Sequence, residues 1–222
     1  MAVPIKIDFV SDVSCPWCVI GLKALEQALD SLGGAVDAEI RFQPFELNPQ
    51  MGPDGENIVE HIGRKYGSTP EQSAKNREMI RARGEALGFP FRTDETSRIY
   101  NTFDAHRLLH WAGLEGRQKE LKHALFDAYF TRGENPSDHE TLALVAERAG
   151  LDPAAACEVL ASGRYATEVR TRADYYRAQG INGVPAVILN ERYLVTGGQP
   201  PEVFAQALRQ VAAETPQADD KG

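Results

Sequence analysis

The sequence of 222 residues lacks a surplus of basic residues and any long apolar run, and it contains few cysteines. Its 24 lysine and arginine residues are outnumbered by 32 aspartate and glutamate residues, which gives a formal net charge of −8. Nucleic acids and anionic membranes bind basic surfaces, so this balance argues against both as the main partner. No apolar segment approaches the roughly 20 residues that a membrane-spanning helix requires.

The start of the chain, MAVPIKIDFV, also lacks the basic region and the apolar stretch of a secretory signal. We therefore expect a cytoplasmic protein. The three cysteines are Cys15, Cys18 and Cys157. Because a reducing compartment does not preserve a simple structural disulfide, a close pair such as Cys15 and Cys18 is more often catalytic or metal-binding. Cys157 stands alone in a predicted helix, and we expect it to be a small buried apolar residue.

The first fifty residues alternate between the periods of a strand and of a helix. Ile5, Ile7 and Phe9 share one face of a predicted strand, PIKIDFV. The leucines that follow Val19 recur three and four residues apart, as in an amphipathic helix, and AEIRFQPFELN then alternates again. This order predicts a βαβ unit whose two strands pair in parallel.

The rest of the chain is first helical and then returns to strands. Residues 57 to about 180 have the helical period throughout, while VPAVILN and ERYLVTGG predict an antiparallel hairpin that turns near Asn190 and Glu191. PPEVFAQALRQVAAE predicts a closing helix. We thus predict the α/β class, a thioredoxin fold (βαβ…ββα) with a large all-helical insertion. Residues 1–50 and 181–215 form the discontinuous thioredoxin-like domain, 51–180 the insertion and 216–222 a disordered tail.

Cys15 and Cys18 lie where the first strand ends and the first helix begins. A helix N-terminus carries partial positive charge and unpaired N–H groups, which favour the thiolate form of a cysteine. Pro16 suits the first helical turn because it has no N–H to lose. Cys18 lies one turn deeper, close enough to attack a mixed disulfide held on Cys15. This placement predicts a reversible dithiol–disulfide couple with Cys15 as the nucleophile.

Other interpretations of the pair are weaker. One Cys-x-x-Cys could be half of a zinc site, but tetrahedral zinc needs four ligands, and the sequence has no second pair. Two inert core thiols are disfavoured by Pro16 and by the strand–helix junction. Trp17, between the cysteines, either offers an apolar face to a docking polypeptide or packs on the insertion.

Val184 and Pro185 open the strand VPAVILN. A proline is tolerated at the first residue of a strand, so an ordinary trans bond is one interpretation. A thioredoxin-like frame favours the other, a cis proline that faces the cysteines. The backbone of Val184 would then pair with an extended substrate segment.

Four segments, SDVSCPWCVIG, NTFDAHRLLHWA, GVPAVILN and VTGGQPPEVFAQAL, carry a family resemblance. Together they resemble the DsbA-type thiol-disulfide oxidoreductases, in the FrnE-like branch related to 2-hydroxychromene-2-carboxylate isomerases and kappa-class glutathione transferases. The resemblance extends over nearly the whole chain. It implies that Cys15 is the nucleophile, Cys18 its partner and Pro185 a cis proline. The isomerase relatives have serine in place of Cys15, so the retained pair favours redox chemistry.

Polar residues near these motifs give weaker signals. Asp12 either accepts the proton of Cys18 or caps a turn, and we favour the cap. His106 and His110 have a spacing that can bind metal, but no carboxylate accompanies them, and we predict no metal site. Because NTFDAHRLL resembles the segment that lines the family's pocket, Asn101 and His106 are candidate substrate contacts. The full set of predicted substrate-binding residues is Pro16, Trp17, Asn101, His106, Val184 and Pro185.

The leading hypothesis is a thiol-disulfide oxidoreductase that acts on thiols or disulfides of a protein or a small molecule. A cellular reductase or oxidant would recycle its dithiol. We expect no resident cofactor, and glutathione would at most be a co-substrate. One alternative is a glutathione-dependent transferase or isomerase on the same fold. The other is a non-catalytic, chaperone-like binding protein that uses an apolar cleft.

Overall fold

The computed structural model describes residues 2–52 and 54–214, so the predicted tail at 216–222 lies outside the described residues. Helices predominate and strands lie mainly at the two ends of the chain. In chain order the elements are β1 (Val3–Ser11), α1 (Pro16–Ser31), β2 (Val36–Pro44), β3 (Glu56–Asn57), α2 (Ile58–Tyr66), α3 (Pro70–Ala86), β4 (Arg98–Ile99), α4 (Phe103–Leu114), α5 (Gln118–Phe126), a π-helical turn (Asp127–Thr131), α6 (His139–Arg148), α7 (Pro153–Ser162), α8 (Ala166–Ala178), β5 (Ala186–Leu189), β6 (Tyr193–Thr196) and α9 (Pro201–Glu214).

The main sheet has the strand order β2-β1-β5-β6. β1 pairs with β2 in parallel, whereas β1–β5 and β5–β6 are antiparallel. The hairpin between β5 and β6 turns at Asn190 and Glu191, whose φ angles are 47° and 57°. The predicted βαβ unit, the hairpin and its turn are confirmed, and with them the thioredoxin fold.

The two faces of the sheet are covered by different helices. Ile5, Ile7 and Phe9 are buried on the face that packs against α1 and α9, as their alternation predicted. Val10 points the other way and packs against Tyr176 of α8. Helices on both faces explain why the end of β1, from Phe9 to Ser11, is buried and can hold the cysteine-bearing turn that follows it.

The insertion is mostly helical, as predicted, but the prediction that it is all-helical is wrong in one detail. β3 and β4 form a two-stranded antiparallel ladder in which Glu56 pairs with Ile99 and Asn57 with Arg98. Asn57 also caps α2, because its side-chain oxygen accepts hydrogen bonds from Val59 N at 2.9 Å and Glu60 N at 3.2 Å. Strands of two residues are too short to show an alternating pattern, so the sequence gives no signal for them.

The insertion and the frame share one apolar core. Phe126, Tyr129 and Phe130, from the end of α5 and the π-helical turn, belong to the same buried cluster as Phe9 and Phe42. The Phe9 and Phe42 rings meet edge to face with centroids 5.8 Å apart. The domain boundaries at residues 50 and 181 stay a prediction, since this core extends across both parts.

The expectation that Cys157 is buried is wrong, because this cysteine is exposed on α7. Its neighbours Ala156 and Val159 occupy the inward face of the helix and are 0% and 1% exposed. The helical period places Cys157 on the opposite side. It therefore serves as a control cysteine, because it is exposed whereas Cys15 and Cys18 are buried.

We expect Gly84→Ala to destabilise the protein by about 1–3 kcal/mol through overpacking. A Cβ atom at this position on α3 would collide with the ring of Phe91 and lie 2.7 Å from Phe89 O. Urea denaturation measures the effect. Gly113→Ala in α4 is the control, because there the nearest atom, Nε2 of Gln118, would lie farther away, at 3.3 Å. Equal stabilities of the two variants would contradict the prediction.

Candidate active site

Cys15 is the N-cap residue of α1, with an extended backbone (φ −96°, ψ 112°), and Pro16 occupies the first helical turn. The N–H of Cys18 donates to Cys15 O at 3.0 Å, which closes the turn that carries both cysteines. Cys15 is 3% exposed and therefore reaches the surface only through its sulfur-bearing edge. The predicted position at the helix N-terminus is confirmed, and the partial positive charge there favours an anionic sulfur.

Cys18 lies one turn below Cys15 and is completely buried. Both cysteines are free thiols in the structure. Burial raises the pKa of the Cys18 thiol well above its usual value, and the hydrogen bond and charge of Cys15 raise it further. The two thiols are therefore unequal: Cys15 is the one that an incoming reactant can meet, and Cys18 rests as a protonated thiol beneath it.

The Val184–Pro185 loop lies directly opposite Cys15. The peptide bond between these residues is cis, the isomer that the family resemblance implied. The Cys15 thiol donates a hydrogen bond to Val184 O, at 3.6 Å. Pro185 packs closely on α1, where a Cβ atom on Gly21 would lie 3.0 Å from Pro185 Cγ. This close contact ties the loop to the helix that carries the cysteines.

A cleft of about 420 Å³ opens over Cys15. Its lower side is formed by the cysteine turn and by Val184, and its upper side by α2 and α3 of the insertion. The upper side is mainly apolar, although both helices are polar in overall composition. The apolar residues of this upper side are Ile58, Ile62, Tyr66, Met79 and Ile80.

Trp17 packs on the insertion, one of the two alternatives that the sequence left open, whereas its contact with a docking polypeptide stays a prediction. It lines the cleft, and the guanidinium of Arg83 on α3 lies 5.2 Å from the centre of its ring. A cation over an aromatic face is attracted by the electrons of the ring. Trp17 thus packs against the insertion and also presents part of its surface beside Cys15.

One polar cluster stands in the cleft wall. The two ring nitrogens of His61 lie 2.8 Å from a Glu56 carboxylate oxygen and 2.9 Å from Asn48 Oδ1. Lys65 donates to the same Asn48 oxygen at 2.7 Å. This cluster connects α2 to the loop after β2 and so fixes the distance between the two sides of the cleft.

Asp12 has the structural role that the sequence favoured. Its buried carboxylate accepts hydrogen bonds from Leu47 N at 2.7 Å and Ser14 N at 3.4 Å, and lies 3.5 Å from His106 Nε2. Burial raises the pKa of Asp12, but the hydrogen bond and charge of His106, together with hydrogen bonds from Leu47 and Thr102, outweigh that effect and hold the pKa below its usual value. A carboxylate held in this way is a poor proton acceptor for Cys18.

Asn101 and His106 do not line the cleft over Cys15. Asn101 accepts a hydrogen bond from Phe103 N at 2.9 Å and donates to Met51 O at 3.3 Å. His106 is 3% exposed and lies 3.2 Å from Phe45 O. The structure thus gives both side chains partners within the fold, and their contact with a substrate stays a prediction. Pro16, Trp17 and Val184 do line the cleft.

Two features of the site had no sequence prediction. One is the wall made by α2 and α3. Its only indication is that two apolar residues of these polar helices, Tyr66 and Met79, are exposed. The other is Lys122 of α5, a fully buried lysine whose charge acts on Cys18. Within residues 2–52 and 54–214 no cluster of three or more metal-ligating side chains occurs, and no helix is long and apolar enough to cross a membrane.

Comparison with known proteins gives matches over almost the entire chain. The family model of the DSBA-like thioredoxin domain matches residues 6–209. The uncharacterized protein YwbO of Bacillus subtilis is 27% identical over 209 residues, which are 94% of this chain and 96% of that protein. The crystal structure of a probable DsbA oxidoreductase from Streptomyces coelicolor is 33% identical, with a TM-score of 0.89 over 97% of this chain and 93% of the other.

A more distant solved structure shares the fold. The structure of 2-hydroxychromene-2-carboxylate isomerase is 19% identical and has a TM-score of 0.70, covering 94% of this chain and 97% of that one. At this level of identity the likeness concerns the fold alone. The same backbone thus carries both an isomerase and a probable oxidoreductase, and the residues of the site have to distinguish them.

Proposed function

Because this chain belongs to the DSBA-like thioredoxin domain family, we propose that it is a thiol-disulfide oxidoreductase in which Cys15 is the nucleophile and Cys18 the resolving thiol. One observation carries the proposal: Cys15 caps α1 at the floor of an open cleft, and Cys18 lies one turn beneath it, fully buried. A reactant can reach the first sulfur, and only the protein's own Cys15 sulfur can reach the second.

The reaction follows from this arrangement. The Cys15 thiolate attacks one sulfur of a substrate disulfide, the substrate S–S bond breaks, and one substrate thiol leaves. Cys18 then loses its proton and attacks the Cys15 sulfur, which releases the second substrate thiol and leaves a Cys15–Cys18 disulfide. Two electrons have passed to the substrate. The reverse sequence oxidises a substrate dithiol, and the direction depends on the reduction potential of the pair relative to its partners.

The substrate class is a thiol or disulfide, on a protein or on a small molecule. The carbonyl of Val184, 3.6 Å from the Cys15 sulfur, is a backbone group that an extended peptide could pair with once the thiol has reacted. The cleft above has the volume of a site for a small molecule. We also propose a cytoplasmic location, where the glutathione pool and cellular reductases or oxidants would recycle the pair.

A redox titration tests the proposal. The protein is equilibrated in buffers with a graded ratio of reduced to oxidised glutathione, quenched with an alkylating agent and analysed by mass spectrometry. We expect Cys15 and Cys18 to lose two hydrogens together and to form one internal disulfide. A midpoint near about −270 mV indicates a reductant, and one near about −120 mV an oxidant.

Cys157→Ser serves as the reference protein in this titration, because the exposed Cys157 could otherwise form disulfides between molecules. The reference protein should titrate with the same midpoint as the wild type. If Cys15 and Cys18 form no internal disulfide at any ratio, the proposed function is wrong.

The volume of the cleft over Cys15 favours a second candidate, a transferase or isomerase that uses glutathione as co-substrate. This volume, about 420 Å³, suits a small molecule better than a folded protein chain. Cys18→Ser separates the two functions. An enzyme that only binds glutathione at Cys15 keeps its turnover, whereas a disulfide exchanger stops as a mixed disulfide between Cys15 and its substrate, visible as an added mass.

A further inference from the structure

Lys122 is enclosed in the protein core beside Phe42 and Phe126, which belong to the same buried cluster as Cys15 and Cys18. It is 0% exposed, and its Nζ has no hydrogen-bond partner among the residues that the structure describes. The Nζ lies 4.7 Å from the centre of the Phe126 ring and 5.9 Å from that of the Phe42 ring. A buried ammonium without a hydrogen-bond partner is costly, and lysine is almost never fully buried unless it is paired.

The charges that act on Lys122 come from the active site. The groups with the largest electrostatic effect on its ammonium are Cys18, then Asp12, then Cys15. In return, the charge of Lys122 favours the ionised form of Cys18. Burial lowers the pKa of Lys122 to about 8, and the three active-site groups oppose that shift.

The other ionisable groups around α5 are already paired elsewhere. His106 on α4 lies beside Asp12, and His123, the next residue on α5, lies 2.7 Å from a Glu26 carboxylate oxygen on α1. Lys119 reaches the same carboxylate at 3.1 Å. His110 of α4 borders a small cavity of about 10 Å³ together with Lys122 and stacks near the Tyr165 ring. Lys122 is thus a cation whose charge remains available to Cys18.

We propose that Lys122 is a positioning residue for the second half of the reaction, the buried countercharge that stabilises the Cys18 thiolate while it resolves the mixed disulfide. The inference rests on the proposed function. In this step Cys18 gives up its proton and attacks the Cys15 sulfur, the bond between Cys15 and the substrate sulfur breaks, and the proton ends on the departing sulfur or in solvent. Because Cys18 has no access to water, the anion that forms in this step needs a charge partner inside the protein.

The first half of the reaction depends less on this residue, because Cys15 has the smallest electrostatic effect of the three active-site groups that act on Lys122. Cys15 caps α1 at the edge of the cleft, where the helix N-terminus stabilises its thiolate. Loss of Lys122 should therefore slow resolution and leave the initial attack nearly unchanged. A residue that only supports packing would not separate the two steps in this way.

Single-turnover reduction of 5,5′-dithiobis(2-nitrobenzoate) measures both steps in one trace. The first equivalent of coloured thiolate is released when Cys15 forms the mixed disulfide, and the second when Cys18 resolves it. The reaction is followed in the Cys157→Ser background, so that the exposed cysteine does not contribute. We expect Lys122→Met to slow the second release at least about tenfold at pH 7, which is the effect of raising the pKa of Cys18 by about one unit. The rate of the first release should change less than about threefold.

The pH profile gives an independent readout. The rate of the second release rises with pH as Cys18 loses its proton. In Lys122→Met, which lacks the countercharge, this rise should move to higher pH. Lys122→Arg keeps the charge and should preserve part of the wild-type rate. Lys119→Met is the matched control on the same helix and should leave both releases unchanged. Lys122→Met replaces a buried charge by an apolar side chain of similar length, and such a change often leaves the free energy of unfolding unchanged or raises it. The urea denaturation curve of this variant should therefore show a folded protein.

The outcomes are distinct. If the Cys157→Ser reference itself gives no second release, the proposed function fails, and this inference fails with it. If the reference gives both releases and Lys122→Met matches it in rates and pH profile, the proposed function stands and the role of Lys122 is wrong. Equal slowing of both releases also overturns the role, since it indicates a general disturbance of the site.

Discussion

Cys15→Ser is expected to reduce dithiol-dependent reduction of a test disulfide such as insulin to the rate of the dithiol alone, a loss of at least about 10³-fold in enzyme-catalysed rate. A serine hydroxyl does not ionise in the pH range in which a thiolate forms, so the helix N-terminus has no anion to stabilise. The fold should be unaffected, because the smaller hydroxyl group fits in the space of the thiol. Turbidity of precipitating insulin measures the rate.

The control for this experiment is Cys157→Ser, which removes an exposed thiol on α7. This variant should retain the wild-type activity within about twofold. The reactivity of a thiol depends on the groups around its sulfur, and Cys157 has no second cysteine near it. Urea denaturation should give both variants the stability of the wild type within about 1 kcal/mol. Full activity of Cys15→Ser would refute both the assigned nucleophile and the mechanism built on it.

Arg107→Met is expected to lower the free energy of unfolding by about 3 kcal/mol, which corresponds to a fall of roughly 6–12 °C in Tm for a chain of this size. Arg107 on α4 is 3% exposed and donates to Arg164 O at 2.8 Å, to Leu160 O at 3.3 Å and to Val159 O. Two of these carbonyls belong to the last turn of α7, where a helix leaves carbonyl groups without partners. The guanidinium also pairs with Asp104 at 2.7 Å.

The cost of Arg107→Met comes from what the substitution leaves behind. Methionine fills much of the space, but the buried carbonyls of α7 lose their donor, and the Asp104 carboxylate loses Arg107 while it keeps its contact with His139 at 2.7 Å. Arg117→Met is the matched control, because Arg117 and its partner Glu120 are both about half exposed, and such a pair contributes at most about 1 kcal/mol. Thermal and urea denaturation measure both variants. A change for Arg107→Met no larger than for Arg117→Met would contradict this account of the α4–α7 contact.

Arg107 also explains part of the segment NTFDAHRLL, which the sequence analysis connected with substrate. In the structure Asp104 and Arg107 hold α4 against α7, and Asn101 and His106 bind the backbone at Met51, Phe103 and Phe45. The segment therefore has a structural task that is visible in its contacts. A linear motif carries no information on whether a polar side chain meets a ligand or another part of the chain.

The elements with local causes were predictable. The alternation of Ile5, Ile7 and Phe9, the proline in the first turn of α1 and the turn at Asn190 and Glu191 depend on neighbouring residues only, and each is present as predicted. The position of Cys15 at the helix N-terminus belongs to this group. Since the dipole and the unpaired N–H groups are properties of the helix end itself, the chemistry of Cys15 could be inferred without knowing what packs around it.

By itself, then, the sequence determined the order of strands and helices, the family and the pair of sulfurs, because period, caps and turn residues act over a few positions. The tertiary structure alone decided that α2 and α3 cover the cysteines with an apolar wall, that Cys157 faces outward, and that the charge of the buried Lys122 acts on Cys18. These features depend on contacts between segments far apart in the chain. Their energies arise from burial and from charges in a low-dielectric core, which no local pattern of residues records.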